Sequence, residues 1–186
     1  RLRVIAQDGR LFVEHTGRAI GRGEAKPYDL VVIDAYSSST IPYHLTTVEF
    51  LQLVRKTLAP DGVVVSNIIG ALTGPHSDLF RAMTRTFAAV FPQVYIFPVH
   101  EWRGLDDIYE QNITLIATLN PDYQPKAVWQ SKARQFHAQQ LITEDVPTFV
   151  QTLVDDPLVF QETWLAGVPL LTDDYAPVDT LKNPLL

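Results

Sequence analysis

The residues from 27 to 67 constrain the fold more than any other stretch. They read Pro-Tyr-Asp-Leu-Val-Val-Ile-Asp-Ala-Tyr, then Ser-Ser-Ser-Thr-Ile-Pro-Tyr-His-Leu, then an amphipathic segment, then Leu-Ala-Pro-Asp-Gly-Val-Val-Val-Ser-Asn. Residues 30–33 are an apolar, mostly β-branched run of the kind that suits a strand buried on both faces. The run ends on Asp34. Residues 63–65 repeat the pattern and end on Ser66 and Asn67. Between them, residues 46–58 place Val48, Phe50, Leu51, Val54 and Leu58 at helical spacing, with Lys56 in the last turn where a cation favours the helix dipole. Strand, helix, strand predicts a parallel βαβ unit, and its polar residues fall at the carboxyl ends of the strands. In open α/β sheets that edge is where ligands bind.

The rest of the chain extends this α/β pattern. Residues 1–7 read as a strand that Asp8-Gly9-Arg10 stops with a turn. Residues 11–16 predict a short helix and 17–26 a loop with three glycines. Thr46, with Glu49 three residues on, is the better capping-box candidate for the helix that follows residue 45. Ala59-Pro60-Asp61-Gly62 reads as a helix stop and turn. Residues 77–91 form a second amphipathic helix, through Leu79, Phe80, Met83, Phe87 and Val90, with Ser77 as its cap. Residues 94–99 and 112–119 are two strands whose short, non-helical link implies antiparallel pairing. After residue 120 the alternation stops. Residues 126–140 and 146–153 predict helices, and 170–178 an acid-rich loop, with no structure signals beyond it. The expected domain division is residues 1–120 as a partial Rossmann-like catalytic domain and 121–186 as a helical extension packed on it.

Composition narrows the function. Of 186 residues, 46% are hydrophobic and 19% charged, as in a well-cored globular chain. The net charge of −6 argues against a nucleic-acid partner, which wants a basic face. The absence of cysteine excludes disulfides, thiolate metal sites and a cysteine nucleophile. No apolar run approaches the ~20 residues of a membrane span. The first residue is Arg1 rather than Met, so a processed product or a piece of a longer protein is expected.

Several motifs coincide here: Asp8-Gly9-Arg10 after a strand, Tyr28-Asp29 opening the next, Asp34 closing it, Pro42 and Leu45-Thr46 before Glu49-Phe50, and Leu58-Ala59-Pro60-Asp61-Gly62-Val63. Together they resemble the spermidine synthases, the polyamine aminopropyltransferase family. The segment from Leu171 to Val178 (Leu-Thr-Asp-Asp-Tyr-Ala-Pro-Val) resembles its bacterial spermidine-synthase-like branch, some members of which carry the domain behind membrane helices. The resemblance implies a class I methyltransferase-like Rossmann fold, mostly parallel with an antiparallel C-terminal strand pair. The usual strand order of that fold is 3-2-1-4-5-7-6, and the first strands and their glycine-rich loop have no counterpart in this sequence. Residues 4–6 would then be a third strand without neighbours, an edge that invites association.

The same resemblance implies aminopropyl transfer from decarboxylated S-adenosylmethionine, a co-substrate rather than a tightly bound cofactor, to putrescine or a related amine. Partners would be a small-molecule amine and a nucleoside substrate. A homo-oligomer or a missing N-terminal half would complete the fold. The setting would be the cytoplasm, or the cytoplasmic domain of a membrane-fused parent, and this fragment by itself would be incomplete or inactive. By resemblance Asp8 accepts a hydrogen bond from the adenine amino group, with Gly9 letting the purine approach. Asp34 takes the proton from the attacking amine, and with Ala35 borders the nucleotide.

The plain alternatives are a turn-forming Asp-Gly pair at Asp8 and a capping acid at Asp34. The family's second acid, three residues after the catalytic one, is replaced by Ser37, followed by Ser38 instead of proline. A polycationic substrate wants that second carboxylate, because each buried ammonium needs a paired charge. Tyr36 and Tyr43 could box an aliphatic amine or simply pack. Asn67 stands near the family's usual glutamine. Asp173 and Asp174 could stand in for the lost acid, or form a solvated loop or helix cap. His76 with Asp78, and His100 with Glu101 and Asp106, lack metal-ligand spacing, and no nucleophile elbow is present. An S-adenosylmethionine-dependent methyltransferase and a non-catalytic interaction domain remain as alternative readings.

Overall fold

The structure, a computed structural model, describes residues 2–36, 41–99, 108–155 and 162–183. Ser37, Ser38, His100, Glu101 and Asp106 lie outside these residues.

The βαβ unit forms as the sequence predicts. Strand β1 (Tyr28–Ile33) leads through a short 3-10 turn at Tyr43–Leu45 into helix α2 (Val48–Arg55), which returns along strand β2 (Leu58–Gly70), parallel to β1. Helix α1 (Gly9–Gly21) precedes it. Helix α3 (Asp78–Ala88) then leads to the antiparallel strands β3 (Gln93–Pro98) and β4 (Gln111–Thr118). β4 inserts between β2 and β3, so the sheet order is β1-β2-β4-β3. This is the 4-5-7-6 half of the order that the family resemblance implies. The sheet is mixed: one parallel pairing and two antiparallel ones.

One face of the sheet carries the main core. Ile33, Val64, Ile68, Ile113, Leu115 and Ile96 meet Leu51 and Val54 of α2 and Phe80, Met83 and Phe87 of α3. Each fully buried aliphatic or aromatic side chain there contributes about 1.5–3 kcal/mol of transfer free energy. One member of this face is polar. Ser66 lies between Ile33 and Leu115 in the row of paired strands, and its hydroxyl is buried without a hydrogen-bond partner among the described residues.

The other face is covered at one end. Helices α4 (Lys126–Ala138) and α5 (Val146–Gln151) pack over β3 and β4, where Trp129 meets Tyr95 and Phe97 edge-on and Phe149 stacks on Phe97 at 5.1 Å. Nothing among the described residues covers the other end. Leu30 and Val32 are 54% and 61% exposed, and they continue the outward rows of Val63 and Val65. This corrects the expectation of a strand buried on both faces. The β-branched run is real, but among the described residues β1 is an edge strand with a single neighbour and a bare outer side.

Four local readings also change. Residues 2–7 form no strand, and Leu2 and Val4 stand exposed, because the open edge of β1 does not pair with them. α1 begins at Gly9 and runs through Gly17, which the sequence reads as loop. Gly17 faces the end of α2, and a methyl group there would stand in ordinary contact with Lys56 Cβ and Thr57 Cγ2, at 3.6 and 3.7 Å. The cap of α2 is Thr47 rather than Thr46: its hydroxyl accepts from Phe50 N at 3.2 Å, while the Thr46 hydroxyl donates to the Tyr43 carbonyl. The turn at residues 59–62 is absorbed into β2, whose register skips there. Beyond residue 155 two further short helices appear, α6 (Glu162–Leu165) and α7 (Val178–Lys182).

Candidate active site

Two groups of polar side chains gather at the carboxyl edge of the parallel strands. The first stands at the strand tips. Asp34 follows β1 and is exposed. Its Oδ1 accepts from Nδ2 of Asn67, near the end of β2, at 3.3 Å. Tyr36 reaches from the loop after β1 back to β2. Its hydroxyl donates to the Asn67 carbonyl at 3.1 Å and accepts from Ile69 N at 2.8 Å. The phenol thus bonds β2 backbone beyond the last paired residue of β1. Burial, reinforced by the Asp34 charge, raises its pKa above the ordinary tyrosine value, so it stays protonated at neutral pH. Ala35, beside it, packs against the core.

The second group surrounds the start of α1. Asp8 is its N-cap: Oδ1 accepts from Leu11 N at 3.0 Å, and Nε2 of His44 lies 3.4 Å from Oδ2. The Leu11 amide, before the His44 charge, lowers the carboxyl pKa, so Asp8 is an anion. Gly9 follows with open space where a side chain would stand. Arg10, in the first turn, donates to the His44 carbonyl at 2.9 Å and forms a two-pronged ion pair with Asp173. The Thr47 hydroxyl donates to the same Asp173 oxygen at 2.7 Å. Since α2 crosses from the carboxyl end of β1 back to the start of the parallel strand β2, its N-terminus lies at the carboxyl edge, and these contacts set the start of α1 at the same edge of the sheet as Asp34.

Tyr43 is exposed, lies edge-on to His44 and lines a cavity of about 320 Å3 between residues 41–43 and 176–180. Asp174 is exposed in the acidic loop, whereas both oxygens of Asp173 are engaged by Arg10. The structure therefore brings Asp34, Tyr36 and Asn67 together, and separately Asp8, Gly9 and Asp173. Among the described residues no hydrogen bond or ion pair joins the two groups. A second cavity, about 240 Å3 beneath α4 and lined by Val63, Tyr95, Ile116 and Trp129, opens at the amino end of β2, away from this edge. Sequence reasoning missed Arg10, His44 and Thr47. Arg10 stood in view within Asp-Gly-Arg, but its partner is 163 residues away.

No protein-family model matches the chain. The chain is 25% identical over 180 residues to the polyamine aminopropyltransferase of Vibrio vulnificus, an alignment that covers 97% of this chain and 53% of that protein. It is 34% identical over 77 residues to a probable polyamine aminopropyl transferase of Bifidobacterium longum, covering 41% of this chain and 17% of that protein. Among solved structures, a probable spermidine synthase from Corynebacterium glutamicum superposes with a TM-score of 0.64 at 18% identity, over 95% of this chain and 56% of its own. Human methyltransferase-like protein 13, in complex with SAH, gives 0.57 at 23% identity, over 77% and 61%. The chain thus spans about half the length of the Vibrio relative. The chain is thus similar in sequence to polyamine aminopropyltransferases, and it has the class I methyltransferase-like fold of these structures.

Proposed function

We propose that the protein carrying this chain transfers an aminopropyl group from decarboxylated S-adenosylmethionine to a small aliphatic amine. The observation that carries the reading is Asp34, an exposed carboxylate at the tip of β1 held by Asn67 near the carboxyl end of β2. The chemistry needs a neutral amine. An ammonium gives one proton to the Asp34 carboxylate, and the freed nitrogen attacks the methylene beside the sulfonium. The new N–C bond forms as the C–S bond breaks, and its electron pair returns to sulfur, leaving methylthioadenosine. The exposed carboxylate also attracts the incoming cation. Asp8 and Gly9 would take the adenine edge, in keeping with the Vibrio relative's name and with a neighbouring spermidine synthase structure that holds the transition-state analogue AdoDATO.

With 53% of the Vibrio relative's length spanned, further polypeptide belongs to the same proposal. The bare edge and outer side of β1 would be completed by the rest of a parent chain or by a second copy, as unpaired edges invite. A soluble monomer with β1 unpaired contradicts this. The cytoplasmic setting belongs to the proposal too; among the described residues no helix is long and apolar enough to cross a membrane.

Methylthioadenosine binding by calorimetry and aminopropyl transfer in the full-length protein test the assignment. Asp34→Asn is expected to lower transfer by at least about 100-fold while keeping nucleoside affinity, since general-base catalysis is worth about 10²–10⁴-fold. Undiminished transfer in Asp34→Asn refutes the role. Methyl transfer that survives the change, with no aminopropyl transfer in the parent, identifies a methyltransferase instead. A full-length protein that binds no nucleoside is a non-catalytic domain.

A further inference from the structure

Resting on the assignment of Asp8 to the nucleoside, we propose that Arg10 and Asp173 are positioning residues: their clasp fixes the start of α1, and with it Asp8 and Gly9, against the strand tips. α1 needs such a tie. None of its residues is fully buried, so packing alone holds it weakly. Its first turn is held by polar contacts instead. The Arg10 guanidinium spans three partners from two other parts of the chain: the His44 carbonyl, the Thr47 hydroxyl and Asp173. A planar fork on a carboxylate fixes direction as well as distance, which a lysine would not.

Asp173 is itself anchored from several sides. Its carboxylate accepts from Thr47, the cap of α2, and its backbone N–H donates to Glu49 in the first turn of that helix. Next to it, the Leu171 carbonyl accepts from Val48 N, and Leu171 N donates to the Thr86 hydroxyl of α3. The acidic loop therefore stitches α3 to α2, and the Asp173 carboxylate extends the stitch to α1. Loss of the clasp frees the α1 start to shift, and a displacement of about 1 Å at a binding group costs up to about 100-fold.

The test uses the full-length protein. Asp173→Asn and Arg10→Met are expected to weaken methylthioadenosine binding about tenfold by calorimetry, with the amine KM unchanged and kcat at saturating nucleotide within about twofold. Arg10→Lys falls between these and the parent. Arg81→Met is the control, because Arg81 ties the same C-terminal region to α3 through the Trp164 and Ala166 carbonyls at 2.7 and 2.6 Å, far from Asp8 in sequence. It lowers Tm but leaves nucleoside affinity unchanged. Affinity that follows Tm equally in all variants, or stays unchanged in Asp173→Asn, overturns the proposal. A parent protein that binds no nucleoside sinks the functional reading instead. In that case amide exchange at Leu11 and Phe12 decides the clasp: it quickens in Asp173→Asn and not in Arg81→Met, and equal rates overturn it.

Discussion

Replacing Tyr36 by Phe separates two roles for this side chain. The ring stays and the hydroxyl goes. The hydroxyl makes two hydrogen bonds to β2, at 3.1 Å to the Asn67 carbonyl and 2.8 Å from Ile69 N. Net, each such bond is worth about 0.5–1.5 kcal/mol, and a buried partner left alone costs about 1–3 kcal/mol. Tyr36 is half-buried, so water can reach one of the two orphaned groups. The expected loss is therefore about 1–2 kcal/mol. At about 2–4 °C per kcal/mol for a domain of this size, Tm falls by about 2–8 °C. Urea and thermal unfolding of the full-length protein read the loss, and amide exchange at Ile69 locates it. If the ring instead boxes an amine, Phe keeps the cation–π surface and amine KM holds within about twofold. Stability within about 0.5 kcal/mol of the parent, with unchanged exchange at Ile69, refutes the view of Tyr36 as a pin that extends the strand edge.

Ser66→Ala removes a buried hydroxyl without a partner, so urea unfolding should show a change between zero and a gain of about 1 kcal/mol, not a loss. Gly62→Ala should destabilise by about 1–3 kcal/mol on the same assay, because the added methyl would stand 2.9 Å from both the Ala59 carbonyl oxygen and Leu58 Cβ. Arg10, chiefly by hydrogen bonding, holds the Asp173 carboxyl below its ordinary pKa of 3.8. The unfolded chain takes up that proton first as pH falls, so the stabilisation is full above the ordinary value and drains away below it. Asp173→Asn should flatten the acid limb of the stability curve below about pH 4, and an unchanged limb contradicts the pairing.

The elements legible in the sequence are those whose period is set by the main core. α2 and α3 announced themselves through Leu51, Val54, Phe80, Met83 and Phe87, which are buried. β3 and β4 were readable as short apolar runs with too short a link for a parallel crossover. Strand status for residues 2–7 was not decidable locally, because a strand exists only with a partner and β1 leaves its edge open. Gly17 misled because a glycine weakens a local helix signal without forbidding the helix, and α1 runs through it. At the site, Asp34 was legible as a strand tip, since β1 ends where its apolar run stops; β2 instead runs past Asn67 to Gly70, because β4 continues to pair with it there. The engagement of Asp173 was not legible, because a side chain's partner 163 residues away leaves no local pattern.

The acidic loop also sets an order of events during synthesis. The Val48 amide at the start of α2 finds its acceptor in Leu171, and α1 finds its anchor in Asp173. More than a hundred residues must leave the ribosome after α2 before either contact can form, which takes about 5–20 s or more at bacterial-to-eukaryotic translation speeds. Until then the helical layer over β1 and β2 is held by its apolar contacts and by the shorter-range ties of Arg10 and Asp8 to residues 44–47, so a nascent chain stalled before residue 171 carries a sheet whose near-side helices lack their C-terminal latch.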